Sequence, residues 1–161
     1  MHIHTDSGYA APSAGDVFTL ISNHLSFDNA DSKLKYEGSL IAAFDNSKYA
    51  ISINDAANAL AFNLNKNKYF NGSTGDWKDS SSIRTAAQTA FSFFYARDST
   101  LTETIRTDRA YELSQAAVLT SFNTGIILLK RDISGRFKPL IIDTHVNSED
   151  TSKRVYIQKC L

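Results

Sequence analysis

Asp143 and His145 have the residue types and the spacing of a catalytic pair. One residue separates them in a segment that the sequence predicts to be a strand, so both side chains should point to the same face of a sheet. A carboxylate beside an imidazole favours its protonated form and fixes its tautomer, as a general base requires. The alternative interpretation is a polar pair at the end of a strand that faces solvent.

Three basic residues, Lys130, Arg136 and Lys138, lie around the predicted turn that precedes the same strand. Cationic side chains grouped on one hairpin can hold a phosphate or stabilise the charge that develops during phosphodiester cleavage. With His145 as the base, they predict a small metal-independent ribonuclease whose partner is RNA. An ordinary charged turn explains the same residues.

Aromatic residues mark a second candidate site in a polar stretch, residues 65–79, which the sequence predicts to be a long loop. The stretch contains Tyr69, Phe70 and the sole tryptophan, Trp77. Aromatic side chains on a loop often anchor a protein partner. They can equally fold back and cover the edge of the sheet, and the sequence leaves the position of Trp77 open.

Several common chemistries lack their signatures. The sequence contains none of the glycine-rich phosphate-binding motifs, no G-x-S-x-G and no H-E-x-x-H, so we predict no cofactor. Its one cysteine, Cys160, excludes an intrachain disulfide and a cysteine-based metal site.

One short motif bears on metal binding. His2-Ile3-His4-Thr5-Asp6 resembles the first metal motif of the polymerase and histidinol phosphatase family of metal hydrolases. That resemblance covers barely ten residues. The family needs several further histidine ligands, whereas this chain has only His24 and His145 besides the motif, so we predict no metal site.

Length and composition predict one domain. The chain has 161 residues, 42% hydrophobic and 21% charged, and its 17 basic residues balance 17 acidic ones. Most nucleic-acid-binding domains have a concentrated basic surface, and equal numbers of basic and acidic residues do not predict one. No apolar run reaches the ~18 residues of a membrane span, and residues 1–15 have no signal-peptide pattern. We expect a cytoplasmic protein, or one exported without a cleavable signal peptide.

Hydrophobic periodicity predicts the elements that position these residues. Residues 1–15 show no periodicity and are predicted to be a flexible lead, followed by a single domain over residues 16–161. In residues 33–45 the even positions are apolar, which predicts a strand with that face in the core. A stripe from Ile83 to Phe94 predicts a helix behind a serine cap, and Gly125 is predicted to end a second helix. The predicted helices are 16–25, 83–94 and 108–122; the predicted strands are 33–45, 49–53, 60–64, 126–131, 137–146 and 154–160.

The order of these elements, α-βββ-αα-βββ, predicts an α+β fold with antiparallel sheet packed on helices. The function that follows is a small soluble binding module, monomeric or homodimeric, with a protein as its partner and no membrane contact. Translocated virulence proteins, toxin-neutralising proteins and secretion chaperones share this description. The alternative is the toxin-like ribonuclease that uses the C-terminal hairpin.

Overall fold

The computed structural model describes residues 2–4, 9–35, 37–43 and 46–159 of the chain. Six strands of these ranges form one sheet, and two short strands form a hairpin beside it. The strands are β1 (His2–His4), β2 (Gly38–Ala43), β3 (Lys48–Ile53), β4 (Phe70–Asn71), β5 (Asp76–Trp77), β6 (Ile126–Arg131), β7 (Phe137–Val146) and β8 (Arg154–Lys159).

The large sheet has the order β1-β2-β3-β6-β7-β8. Its first strand runs parallel to β2, and the other neighbours are antiparallel. The pairing of Ile51 with Leu128 and of Leu128 with Leu140 carries one row of apolar side chains across the middle of the sheet. All three are buried, so this face of the sheet forms the core.

The described ranges contain six helices, and the three longest contact strands of the large sheet. The helices are α1 (Ala14–Leu25), α2 (Ala30–Lys35), α3 (Ala56–Leu64), α4 (Lys66–Tyr69), α5 (Ser82–Arg97) and α6 (Glu103–Ser121). Helix α6 packs on β6 and β7, and α1 packs on β2 and β3. Helix α5 packs on α6 and reaches the edge strand β8, so α6 lies between α5 and the sheet.

The described residues that precede α1 include some that contact the domain, within the segment that the sequence predicts to be a flexible lead. Strand β1 pairs with β2, and Ala10, Ala11 and Ala14 are buried. Helix α1 begins at Ala14 because Ser13 and Asp16 form a capping box: the Asp16 carboxylate accepts from the Ser13 amide at 2.7 Å, and the Ser13 hydroxyl accepts from the Asp16 amide at 3.4 Å. The prediction had missed this because small residues such as alanine carry little periodic signal.

The predicted strand over residues 33–45 differs from the structure in extent and in facing. Residues 30–35 form helix α2, and the strand begins at Gly38. The core face holds Ile41, which is 1% exposed, whereas Leu40 on the even face is 52% exposed. The prediction that the even positions of this strand face the core was therefore wrong at Leu40. The Leu34 side chain, Tyr36 and Phe44 lie outside the described residues.

The predicted third strand, residues 60–64, is also wrong, because this segment belongs to helix α3. Asp55 caps that helix by accepting a hydrogen bond from the Asn58 amide at 3.0 Å. Of the apolar residues that suggested alternation, Phe62 is buried and Leu64 is exposed. The predicted loop that follows contains α4 and the β4–β5 hairpin.

The other predicted elements are present. Helix α6 begins at Glu103, five residues before its predicted start at residue 108, and ends at Ser121. Helix α5 begins behind Ser81, whose hydroxyl accepts from the Arg84 amide, and it buries Ile83 and Phe94. Strands β3, β6, β7 and β8 cover the predicted segments. Helices and an antiparallel sheet confirm the α+β class.

Candidate functional site

A pocket of about 430 Å³ opens between α5 and α6, next to the β4–β5 hairpin and the N-terminal segment. We call it the α5–α6 pocket. On each helix the residues that line the pocket recur at intervals of three and four positions, so they lie on one face of α5 and one face of α6. The lining residues are Tyr9, Asp76, Arg84, Ala87, Gln88, Phe91, Ser92, Tyr111, Ser114 and Gln115.

Helix α6 supplies the inner wall of the pocket. Because it lies between α5 and the sheet, every residue from Glu112 to Leu119 is buried, including polar ones. Buried polar side chains need hydrogen-bond partners, or they destabilise the fold. Ser114 finds one within its own helix by donating to the carbonyl of Tyr111 at 2.7 Å.

Gln115 has one hydrogen bond to the protein, and this bond fixes which way its amide points. The indole Nε1 of Trp77 donates to Gln115 Oε1 at 3.0 Å. An indole N–H can only donate, so the oxygen of the amide must face Trp77 and the nitrogen must face away from it. No described residue accepts a hydrogen bond from Gln115 Nε2. The pocket therefore has an unused amide donor on a side chain that is 3% exposed.

A charged pair borders the same pocket. The Arg84 guanidinium forms an ion pair with the Asp76 carboxylate, and Arg84 Nε lies 3.7 Å from Asp79 Oδ1. That Nε atom is buried and has no hydrogen-bond partner among the described residues. Asp76 also accepts from the backbone amide of Trp77 at 2.7 Å, which holds the carboxylate at the end of β5.

Two stacked tyrosines complete the wall. The rings of Tyr9 and Tyr111 lie 4.0 Å apart between centroids and 14° from parallel. Burial raises the pKa of Tyr111 well above its usual value, and the charges of Asp76 and Asp16 raise it further. The Tyr111 hydroxyl is therefore a neutral donor at physiological pH.

Trp77 is buried and does not form a surface anchor. It is 1% exposed, and its ring packs edge-on against Phe18 and Phe62. Tyr69 stacks on Phe62, with ring centroids 5.4 Å apart, and Phe70 packs against Phe18. The structure therefore supports the interpretation in which the aromatic stretch folds back onto the core.

The basic residues of the β6–β7 hairpin lie at one end of the sheet. Lys130 points to the helical face, where it forms an ion pair with the buried Glu112, and Glu112 also accepts from the Tyr49 hydroxyl at 2.7 Å. Arg136 Nε donates to the Ser134 hydroxyl in the turn, and Lys138 is exposed opposite Lys130. The role of Glu112 was not predicted, because a single glutamate in an apolar helix gives no signal of its partner.

The structure does not bring His145 to these basic residues. It lies seven positions along β7 from Lys138, a distance of about 24 Å, and the odd spacing places the two on opposite faces. Asp143 shares a face with His145, as predicted, but its carboxylate pairs with Lys159 at 2.8 Å rather than with the imidazole. The predicted grouping of a base with three phosphate-binding cations is therefore not formed.

The residues that form the α5–α6 pocket were missed at the sequence level. The available signal was the repeat of Arg84, Gln88 and Ser92 at intervals of four, with Tyr111 and Gln115 at the same interval on the next helix. Polar residues at helical spacing usually face solvent. Only the position of α6 between α5 and the sheet turns this face inward.

The described residues contain no group of three or more His, Cys, Asp or Glu side chains that could hold a metal ion. Within the described ranges, no helix is long and apolar enough to cross a membrane.

The chain matches no protein family model, no curated protein and no solved structure. Its function must therefore be inferred from the chemistry of the pocket.

Proposed function

We propose that this chain is a small ligand-binding module whose α5–α6 pocket holds a compact planar molecule with a hydrogen-bond acceptor. The observation that carries the proposal is the Gln115 amide, whose Nε2 donor faces the pocket without a described acceptor. Gln115 Nε2 is not among the described buried atoms without a partner, so the donor is accessible from the pocket. A ligand carbonyl or ring nitrogen can accept a hydrogen bond from this donor, next to a wall that is otherwise buried.

The size and lining of the pocket support a small molecule rather than a protein segment. Its volume of about 430 Å³ lies within the range of about 300–1,000 Å³ typical of ligand sites, which are mostly apolar with a few placed polar groups. The Tyr9 and Tyr111 rings and the Phe91 ring supply flat apolar surface for a planar molecule. Ser92 and Gln88 place further polar groups at the exposed rim.

The lining favours binding over catalysis. Among the described residues that line the pocket, Asp76 is the one carboxylate, and it is already paired with Arg84. A general base must be within reach of the proton that it abstracts and must be able to accept it. The predicted protein partner is a weaker proposal than a small ligand, because Trp77, its central anchor, is inside the core.

Blocking the mouth of the pocket tests the proposal. We would measure saturation-transfer NMR of planar aromatic carboxamides, with benzamide and nicotinamide as the first probes. Ser92→Phe places a ring at the exposed rim of the pocket, whereas Ala96→Phe adds the same ring to an exposed position of α5 that does not line it. We expect transfer to the probes from wild type and from Ala96→Phe, and its loss in Ser92→Phe. Transfer that Ser92→Phe leaves unchanged would contradict the assignment of the pocket.

A further inference from the structure

Three carboxylates lie in or near the elements that form the α5–α6 pocket. Asp76 lines it, and Asp79 lies beside Arg84. Asp16 belongs to the first turn of α1, which a hydrogen bond from Gly15 N to the Gly75 carbonyl at 2.8 Å holds against the β4–β5 hairpin. Arg84 is the one cation among the ten described lining residues. Since Arg84 is paired with Asp76 and close to Asp79, its charge is largely compensated.

The carboxylates also act on Tyr111, at the inner wall of the pocket. Burial is the main cause that raises the pKa of Tyr111, and the charges of Asp76 and Asp16 follow. Arg84 lowers the pKa of Tyr111 by less than these carboxylates raise it. The nearby carboxylates therefore act on Tyr111 more strongly than the Arg84 guanidinium does.

The aromatic rings of the lining add to this preference. Because Tyr9 and Tyr111 cover one face of each other, the uncovered ring faces of this pair and of Phe91 are the ones that can attract a cation within about 6 Å of the centroid. The attraction is stronger where the site is partly desolvated, as it is against the buried wall of α6. The Gln115 amide adds a donor that an uncharged acceptor on the same ligand can satisfy.

We propose that the α5–α6 pocket selects an organic cation: a planar ring that carries a positive charge and also presents a carbonyl or similar acceptor to Gln115. This inference rests on the proposed function, since it specifies the ligand of the same pocket. A pyridinium carboxamide has both features. The negative carboxylates attract the ring charge, and the carboxamide oxygen accepts from Gln115 Nε2.

A matched pair of probes isolates the charge. The 1-methylnicotinamide cation and neutral 3-methylbenzamide share the ring, the methyl group and the carboxamide, and differ in one ring atom and its charge. Isothermal titration calorimetry of the full chain with each probe should give a Kd about tenfold lower for the cation. Raising the ionic strength should reduce this ratio, because salt screens charges near the surface.

Two variants locate the preference in the pocket. Asp76→Asn removes the lining carboxylate and leaves Arg84 as a less compensated cation, so we expect the preference for 1-methylnicotinamide to disappear. Asp98→Asn is the control, because Asp98 is also paired with arginines but does not line the pocket. The control should keep the tenfold ratio. If Asp76→Asn does not fold, the salt dependence of the wild-type ratio still tests the inference.

The outcomes separate the inference from the proposed function. A higher affinity for the cation that falls with salt and is lost in Asp76→Asn supports both. Equal affinity, or a preference for 3-methylbenzamide, overturns the cation inference and leaves the pocket as a ligand site. Failure of both probes to bind at up to about 10 mM, a concentration that detects even millimolar affinity, overturns the inference and the proposed function together.

Discussion

Gly125 lies so close to Asp55 that a Cβ atom on Gly125 would be 2.2 Å from the Asp55 carbonyl oxygen. The same carbonyl belongs to the N-cap of α3, and the Gly125 carbonyl accepts hydrogen bonds from the amides of Asn54 and Asp55. Gly125 also has a φ of +70°, which favours glycine. This contact joins the start of β6 to the first turn of α3.

We expect Gly125→Ala to destabilise the fold by more than about 2 kcal/mol, since it adds a backbone clash to the strain of a positive φ. Gly75→Ala adds the strain alone, because nothing lies within 4 Å of its Cβ position. Gly72→Ala adds neither and should be near wild type. Urea unfolding of the three variants checks this order, and equal stability of Gly125→Ala and Gly72→Ala would contradict the contact.

Gln115→Met keeps the shape of the side chain but removes the acceptor of the Trp77 indole. Because the indole N–H is then buried without a partner, we expect a loss of about 1–3 kcal/mol in the free energy of unfolding. Gln88→Met changes the same residue type at the exposed rim and should remain within about 0.5 kcal/mol of wild type. Chemical denaturation measures both, and an unchanged Gln115→Met would show that the hydrogen bond contributes nothing.

Phe94→Ala should destabilise the fold by about 3–5 kcal/mol, since Phe94 is 0% exposed and packs against Phe93 and Tyr156. Phe91→Ala should have roughly half that effect, because Phe91 is only half-buried and lines the pocket. Thermal unfolding of the two variants compares them directly. A larger effect at Phe91 would mean that the helix is rotated from the orientation described.

Asp98 gives a pH-dependent contribution to stability. Desolvation raises its pKa, but hydrogen bonds and charges from Arg97 and Arg109 outweigh this, so the pKa of Asp98 lies below its usual value. A carboxylate with a lowered folded pKa stabilises the protein above the unfolded pKa of about 3.9, and this is lost as the pH falls through the folded pKa.

Asp98→Asn should therefore reduce the free energy of unfolding by about 0.5–1 kcal/mol at neutral pH, and the difference should shrink in acid. Urea unfolding at about pH 7 and about pH 3 measures both differences. A difference that is the same at the two pH values would exclude the ion pairs of Asp98 as its cause.

Hydrophobic periodicity correctly predicted the elements that bury one face and expose the other. The stripe from Ile83 to Phe94 identified α5, and alternation at Tyr49, Ile51 and Ile53 identified β3. It failed at α3, where Leu60 and Leu64 are exposed and only Ala59 and Phe62 are buried. Spacing cannot distinguish an exposed leucine from a buried one, and the Asp55 cap was the signal that favoured a helix.

The candidate site could not be predicted from the same patterns. Tyr111 and Gln115 share a helix face in the sequence, but their burial depends on α5, which packs over them. Trp77 was found as a candidate, and the structure places it inside the core, where its indole donates to Gln115. The function of a buried polar residue depends on its tertiary partner, which local spacing does not specify.

The most direct test of the proposed ligand site is the side-chain amide of Gln115 itself. In ¹H–¹⁵N NMR spectra, the loss of one amide pair in Gln115→Met assigns its Nε2 signals, and the single indole signal belongs to Trp77. On titration with 1-methylnicotinamide, we expect the Gln115 Nε2 and Trp77 Nε1 signals to shift together with one Kd, and neither to shift in Ser92→Phe. Fixed Gln115 and Trp77 signals at probe concentrations that shift other signals would contradict the account.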